Sequence, residues 1–194
     1  MNPLPDAELF RVYPCPVPRK PFVFAILLLA LSLAGCGGGG KGTGTTEQAA
    51  KGQRVTGEGF TFFAPDAWHV TRASTTVTVR PSADKPTLAS VTTLTLRSRY
   101  APSLFAKVTK ELDRVTTALA GKLNGKVIAR RTVVVSGIRS RQYDLAYEKD
   151  GAGLVDRITF VLREKREFYV LCRWPADEGE PDACGLLQSS FAPR

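Results

Sequence analysis

A chain of 194 residues, 43% hydrophobic and with a formal charge of +9, is long enough for one domain around a single core. No segment recurs at a fixed period, which excludes a solenoid or a propeller. The excess of Lys and Arg points to anionic partners, and which of them are available depends on where the chain works.

The first element along the chain does not belong to a core. Residues 22–34 (FVFAILLLALSLA) are uncharged, and 13 residues fall short of the about 20 that a spanning helix needs. Arg19 and Lys20 stand directly before this run, and the small residues Ala34 and Gly35 close it. Basic, then apolar, then small is the order of an export signal. Its ending, Leu33-Ala34-Gly35-Cys36, resembles the bacterial lipoprotein lipobox. That resemblance implies a diacylglycerol on the Cys36 thiol, cleavage just before Cys36, and often acylation of the new amino group. Two or more acyl chains anchor a protein stably where one holds it only marginally. The stretch ahead of the run contains Asp6 and Glu8, unusual in such a leader, and a start at Val17 would give a more ordinary one. The anchor is the same in either case.

Cleavage changes the counts. Residues 36–194 hold 24 Lys and Arg against 16 Asp and Glu, a net of +8. Cys15 leaves with the leader and Cys36 is taken by lipid, so Cys172 and Cys184 remain as a pair. Exported proteins keep disulfides, and a bridge here closes a 13-residue loop, worth about 3 kcal/mol in the chain-entropy model. Two separately buried thiols are the alternative. Two cysteines and the lone His69 are too few for a zinc site, and no metal or cofactor is expected.

Six of the eight residues after Cys36 are glycine. Residues 36–56 therefore read as the lipidated cysteine and a flexible tether with an r.m.s. reach of roughly 20–25 Å. The leader is 1–35, the folded domain is 57–194, and the boundary falls between Gln53 and Gly57.

Within the domain, residues 57–68 run as a short aromatic strand into a Pro65-Asp66 turn. Residues 75–80 and 89–97 are rich in β-branched side chains and read as two antiparallel strands around a Pro-containing loop. From 102 to 121 the period changes to three and four: Leu104, Phe105, Val108, Leu112, Val115 and Leu119 share a stripe, which predicts a helix of about five turns. Residues 126–135, 139–148, 154–163 and 167–174 form a meander, broken at Ser136-Gly137, Asp150-Gly151 and the charged 163–166 turn. Tyr143, Leu145 and Tyr147 are expected to face the same way as Ile158, Phe160 and Leu162, and as Phe168, Val170, Cys172 and Trp174. A short helix over 182–191 carries Leu186, Leu187 and Phe191, and a bridge to Cys172 would pin it onto the covered side of the sheet.

The resulting order, β-β-β-α-β-β-β-β-α, is an α+β sandwich: a twisted antiparallel sheet of about six or seven strands, one long helix and a short C-terminal helix. Its opening GFTFFAPDAW resembles the G-F-x-F-x-x-P-x-x-W start of the PsbP/Mog1-like superfamily. The close, Cys172-Arg173-Trp174 followed by a helix with Cys184 and Phe191, is similar to that of small lipoproteins in the same group. The resemblance covers about 57–192 and implies a fold and an accessory or binding role; it carries over no site residues.

No catalytic constellation stands out. His69 lacks evident partners, although a Ser-His-Asp arrangement brought together by folding is left open. There is no G-x-S-x-G elbow at Ser136-Gly137, and Gly151-Ala152-Gly153 reads as a hairpin rather than a phosphate cradle. Glu180 and Asp182 read as solvated carboxylates. The basic residues say more: Arg139, Arg141, Arg157 and Arg163 lie out of phase with the apolar faces and are expected to project from one solvent side as contacts for an anionic surface. The expected protein is a membrane-anchored, non-enzymatic accessory or binding module facing outside the cytoplasm. Its partner would be an envelope protein or an anionic polymer, not nucleic acid. The alternatives are a carrier holding a small apolar ligand between helix and sheet, near Phe105, Leu112, Tyr143 or Phe160, and a hydrolase using His69.

Overall fold

The computed structural model describes residues 52–194. The leader, Cys36 and the tether up to residue 51 lie outside the described residues.

The meander forms as its alternation and turns dictate. β6 (Lys126–Val135), β7 (Ile138–Lys149), β8 (Ala152–Arg163) and β9 (Arg166–Pro175) pair consecutively and antiparallel. Ser136-Gly137 and Asp150-Gly151 both take positive φ, the geometry of two-residue hairpin turns that follow the twist of the strands. β5 (Leu88–Thr95) pairs with β9, and β4 (Thr76–Arg80) and β3 (His69–Ala73) continue outward. The seven-stranded order is β3-β4-β5-β9-β8-β7-β6. After β5 the chain therefore crosses to the far edge through the helix and meanders back until β9 closes against β5.

A smaller sheet of order β1-β2-β10 is formed by β1 (Gln53–Gly57), β2 (Phe60–Ala64) and β10 (Ala192–Pro193). It packs on one face of the large sheet together with α2 (Asp182–Ser190). There Phe60, Phe62, Leu187 and Phe191 meet Val79, Val91, Val161 and Phe168, all 0–1% exposed. The other face takes α1 (Phe105–Lys122), entered through a 3₁₀ turn at Pro102–Leu104. Leu112 and Ala120 cover Tyr143, Leu145, Ile158, Phe160 and Leu162. Each large apolar side chain buried in this way contributes about 1.5–3 kcal/mol. After α1, Asn124 has a positive φ and the Gly125 N–H donates to the Ala120 carbonyl at 2.9 Å. A Cβ on Gly125 would lie 2.4 Å from the Ala146 carbonyl oxygen, so glycine is what lets the chain turn tightly into β6. No helix among the described residues is long and apolar enough to cross a membrane.

The architecture is the expected α+β one, with three added strands. β1 takes in residues 53–56, expected in the tether; β3 and the two-residue β10 were not expected as strands. One facing assignment is corrected. Ile158 stands opposite Leu171 and Phe160 opposite Tyr169, so Tyr169 and Leu171 share the α1 face. Phe168, Val170, Cys172 and Trp174 point the other way, toward the small sheet and α2. The reason is that both faces are covered: FYVLCRW is apolar in both phases, and alternation then gives the period without the side. The disulfide is present, joining Cys172 to Cys184 with Cα atoms 5.7 Å apart, and it fastens α2 to the most central part of the sheet.

Candidate functional site: arginines within the sheet and at its hairpin end

The four arginines expected on one solvent side are divided between the two faces. Arg139 lies over the Phe105 ring, 4.3 Å from its centre, and Arg141 donates to Asp113 of α1 at 2.9 and 3.2 Å. Both are on the α1 face. Arg157 and Arg163 are on the other. Arg157 donates to both oxygens of Asp144 at 2.9 and 3.1 Å, pairs with Glu180, and stacks on Trp174. Arg163 donates to the Pro193 carbonyl at 2.7 Å. The Arg141 and Arg157 side chains are only 14% and 15% exposed.

Three acids organise the buried cations. Asp113 accepts from Arg141 and from the Tyr143 hydroxyl at 2.7 Å, and Asp144 accepts from Arg157 and Arg131. Asp156 accepts through both oxygens from Nε and Nη2 of Arg173, at 2.7 and 2.9 Å, and from the Tyr147 hydroxyl. Burial pushes the Asp113 and Asp144 carboxyls up, but the hydrogen bonds outweigh it and hold both below the usual carboxylate range. The hydrogen bond to Asp156, opposed by burial, raises the Arg173 guanidinium further, and burial followed by the bond to Asp113 raises the Tyr143 hydroxyl. These arginines are therefore committed to holding strands and helix together. Sequence reading missed this because each acid lies on a neighbouring strand or on α1, a pairing no local spacing announces.

A different set of cations meets at the end of the β8–β9 hairpin, around a concavity of about 480 Å³. Arg163, Lys165 and Arg166 come from the hairpin and Arg194 from the chain end beside β10. Arg99 joins them because the 96–100 segment is docked on the turn: Leu96 N–H donates to the Lys165 carbonyl at 2.8 Å and Tyr100 N–H to the Glu164 carbonyl at 2.6 Å. Glu164 is the acid in this lining, 3.5 Å from Arg99. Arg166 rests against Gly59, where a Cβ would come within 2.0 Å of its Nη1, and donates to the Arg194 carbonyl at 3.3 Å. Phe168, fully buried, forms part of the wall. The sequence signal for it is the charged run Arg163-Glu164-Lys165-Arg166, whose local pattern is that of a turn.

The remaining candidates take these places. His69 is exposed on the edge strand β3, opposite Arg80. Glu180 pairs with Arg157, and Asp182 opens α2. Phe105, Leu112, Tyr143 and Phe160, named for an apolar-ligand cavity, are all buried: Leu112, Tyr143 and Phe160 pack in one cluster, with the Tyr143 and Phe160 rings edge to face at 5.9 Å, and Phe105 lies under the Arg139 guanidinium. Among the described residues, no three His, Cys, Asp or Glu side chains are grouped as a metal site.

Fold and site together define a disulfide-fastened α+β sandwich with an arginine-lined concavity at one end. No protein-family model and no curated protein sequence matches the chain. Solved structures to which it is similar are known. One from Bacteroides thetaiotaomicron is 10% identical with a TM-score of 0.57, covering 74% of this chain and 49% of that one. The chain thus spans about half the length of that structure, and at this identity the likeness is one of fold. LpqN of Mycobacterium tuberculosis, described as involved in cell envelope biogenesis, is 14% identical with a TM-score of 0.44, covering 75% and 86% of the two chains. PA94 of Pseudomonas aeruginosa, a protein of unknown function described as a putative regulator, is 17% identical with a TM-score of 0.40, covering 66% and 85%.

Proposed function

We propose that this chain is a lipid-anchored, extracytoplasmic and non-enzymatic binding module with a PsbP/Mog1-like domain. The observation that carries the reading is the order basic, apolar, Leu33-Ala34-Gly35-Cys36, glycine run, then a polar stretch up to a domain that begins as a strand at Gln53. The disulfide supports it, since such bonds persist outside the reducing cytosol. So does the commitment of most titratable side chains inside the sheet to ion pairs with one another, an arrangement that stabilises a fold rather than a reaction. The partner is an envelope protein or an anionic polymer.

Cys36→Ser tests the anchor. The wild-type chain is expected to fractionate with membranes and to gain mass from acylation, and the variant to appear in the soluble extracytoplasmic fraction. A variant that stays with the membrane overturns the anchor.

A further inference from the structure

The concavity at the β8–β9 hairpin assembles five cationic side chains, Arg99, Arg163, Lys165, Arg166 and Arg194, and Glu164 is the one acidic side chain in its lining. Among the described residues, Arg99 alone of the five pairs with an acidic side chain, whereas Arg141, Arg157 and Arg173 inside the sheet, and Arg131 at its edge, are all matched to acids. The mismatch is local. The same sheet that neutralises its inner arginines leaves this end strongly positive.

Two of the cations are also positioned rather than loose. Arg163 spends one N–H on the Pro193 carbonyl, and Arg166 one on the Arg194 carbonyl while lying on the bare Gly59 backbone. A guanidinium has five donors in a fixed fork, so each retains several for a ligand. Four arginines and one lysine is the composition suited to planar, bidentate recognition of phosphate oxygens. A concave, partly apolar wall focuses the field of such charges and strengthens it over an open surface. The volume settles the size class. About 480 Å³ is well beyond one phosphate ion and within the roughly 300–1,000 Å³ of small-molecule sites.

We propose that this concavity binds a small ligand bearing two adjacent phosphate groups, held by the Arg163 and Arg166 forks and closed over by Arg99, Lys165 and Arg194. The site stands on the described domain alone and holds whether or not Cys36 is lipidated, so its failure and that of the anchor are separate results. Phosphate chemistry has two sources here, a soluble diphosphate and the phosphodiester of a lipid headgroup. The crowding of cations into one cavity favours the more highly charged.

The test is calorimetric titration of the full chain, in nonionic detergent, with inorganic pyrophosphate and with glycerophosphoglycerol as a soluble headgroup probe. Pyrophosphate is expected to bind with a salt-dependent Kd tighter than that of glycerophosphoglycerol by about tenfold or more. Arg99→Ser combined with Lys165→Ser removes two exposed charges and is expected to weaken pyrophosphate by at least about tenfold. Lys107→Ser combined with Lys110→Ser, the same charge change on α1, is expected to leave it unchanged. Absence of pyrophosphate binding at millimolar concentration, or equal weakening by both double variants, overturns the site. Equal affinity for the two probes overturns the two-phosphate assignment in favour of a headgroup.

Discussion

The arginines within the sheet and those at the hairpin end are the same residue type in one protein, and they do opposite things. Inside, Arg141, Arg157 and Arg173 each face a carboxylate across a strand or from α1, are largely removed from water, and act as fasteners. At the hairpin, Arg99, Arg166 and Arg194 gather with Arg163 and Lys165 around one acidic side chain, Glu164, and an open hollow. The lesson is that the partner and not the cation decides the role. A buried charge survives only with a matched counter-ion, while a cluster left unmatched at the surface stores a field for something else.

Breaking a buried pair gives the largest expected effect. Asp156→Ala strands Arg173 and the Tyr147 hydroxyl, and a loss of about 3–5 kcal/mol is expected in denaturant unfolding. A loss below about 1 kcal/mol would place the inner arginines with the surface ones and dissolve the distinction. Next is the covalent fastener on the opposite face. Cys172→Ser or Cys184→Ser is expected to cost about 3 kcal/mol and to melt α2 before the large sheet, followed by hydrogen exchange. Equal mass under reducing and non-reducing alkylation would show that the bond is absent.

Glu167 sharpens the comparison as a buried acid without a matched cation. It lies between Leu94 and Leu162, its Oε1 has no hydrogen-bond partner, and burial pushes its carboxyl up to about 7. The folded state therefore holds a proton that the unfolded state gives up, so stability begins to fall above the unfolded value of 4.5, and the fall is complete once the pH passes about 7. Asp113 and Asp144 act in reverse: their contribution is present above the unfolded value of 3.8 and is lost as the pH falls through their lowered folded values. Glu167→Gln is expected to stabilise by about 1–3 kcal/mol at pH 8 and to do little at pH 4, read from melting at the two pH values. A gain of the same size at both would remove burial of charge as the cause. The smallest effect belongs to the hairpin. Lys165→Ser is expected to change stability by no more than about 0.5 kcal/mol, because its charge is exposed and fastens nothing.

The parts of the fold that could be read in the sequence were those whose signal is local. The β6–β9 meander declared itself through alternation and its Ser136-Gly137 and Asp150-Gly151 turns, and α1 through its stripe from Phe105 to Leu119. β1 was hidden in a polar run after glycines, and β10 is two residues long, one of them proline. These strands exist because β2 offers them an edge, which is a tertiary fact. The same holds for the site. The phase of Arg141 and Arg157 was visible, but Asp113 is 28 residues away from one and Asp144 is 13 from the other, and only the sheet brings them together. The hairpin concavity needed Arg99, the β8–β9 turn and the chain end to converge, and three separate stretches of sequence give no hint of doing so.

β1 has a mechanical consequence. Tension on the chain upstream of Gln53 enters the domain through a five-residue strand whose first side chain is already tied to the Pro65 and Trp68 carbonyls at 3.0 and 2.5 Å. From there the load passes to β2, across the Phe63 N–H to Ser190 hydroxyl bond into α2, and through the disulfide to β9 in the middle of the large sheet. Pulling on this end therefore loads the most deeply braced strand, while the arginine-lined hollow, beside Gly59 at the far end of β1, lies off the line of force.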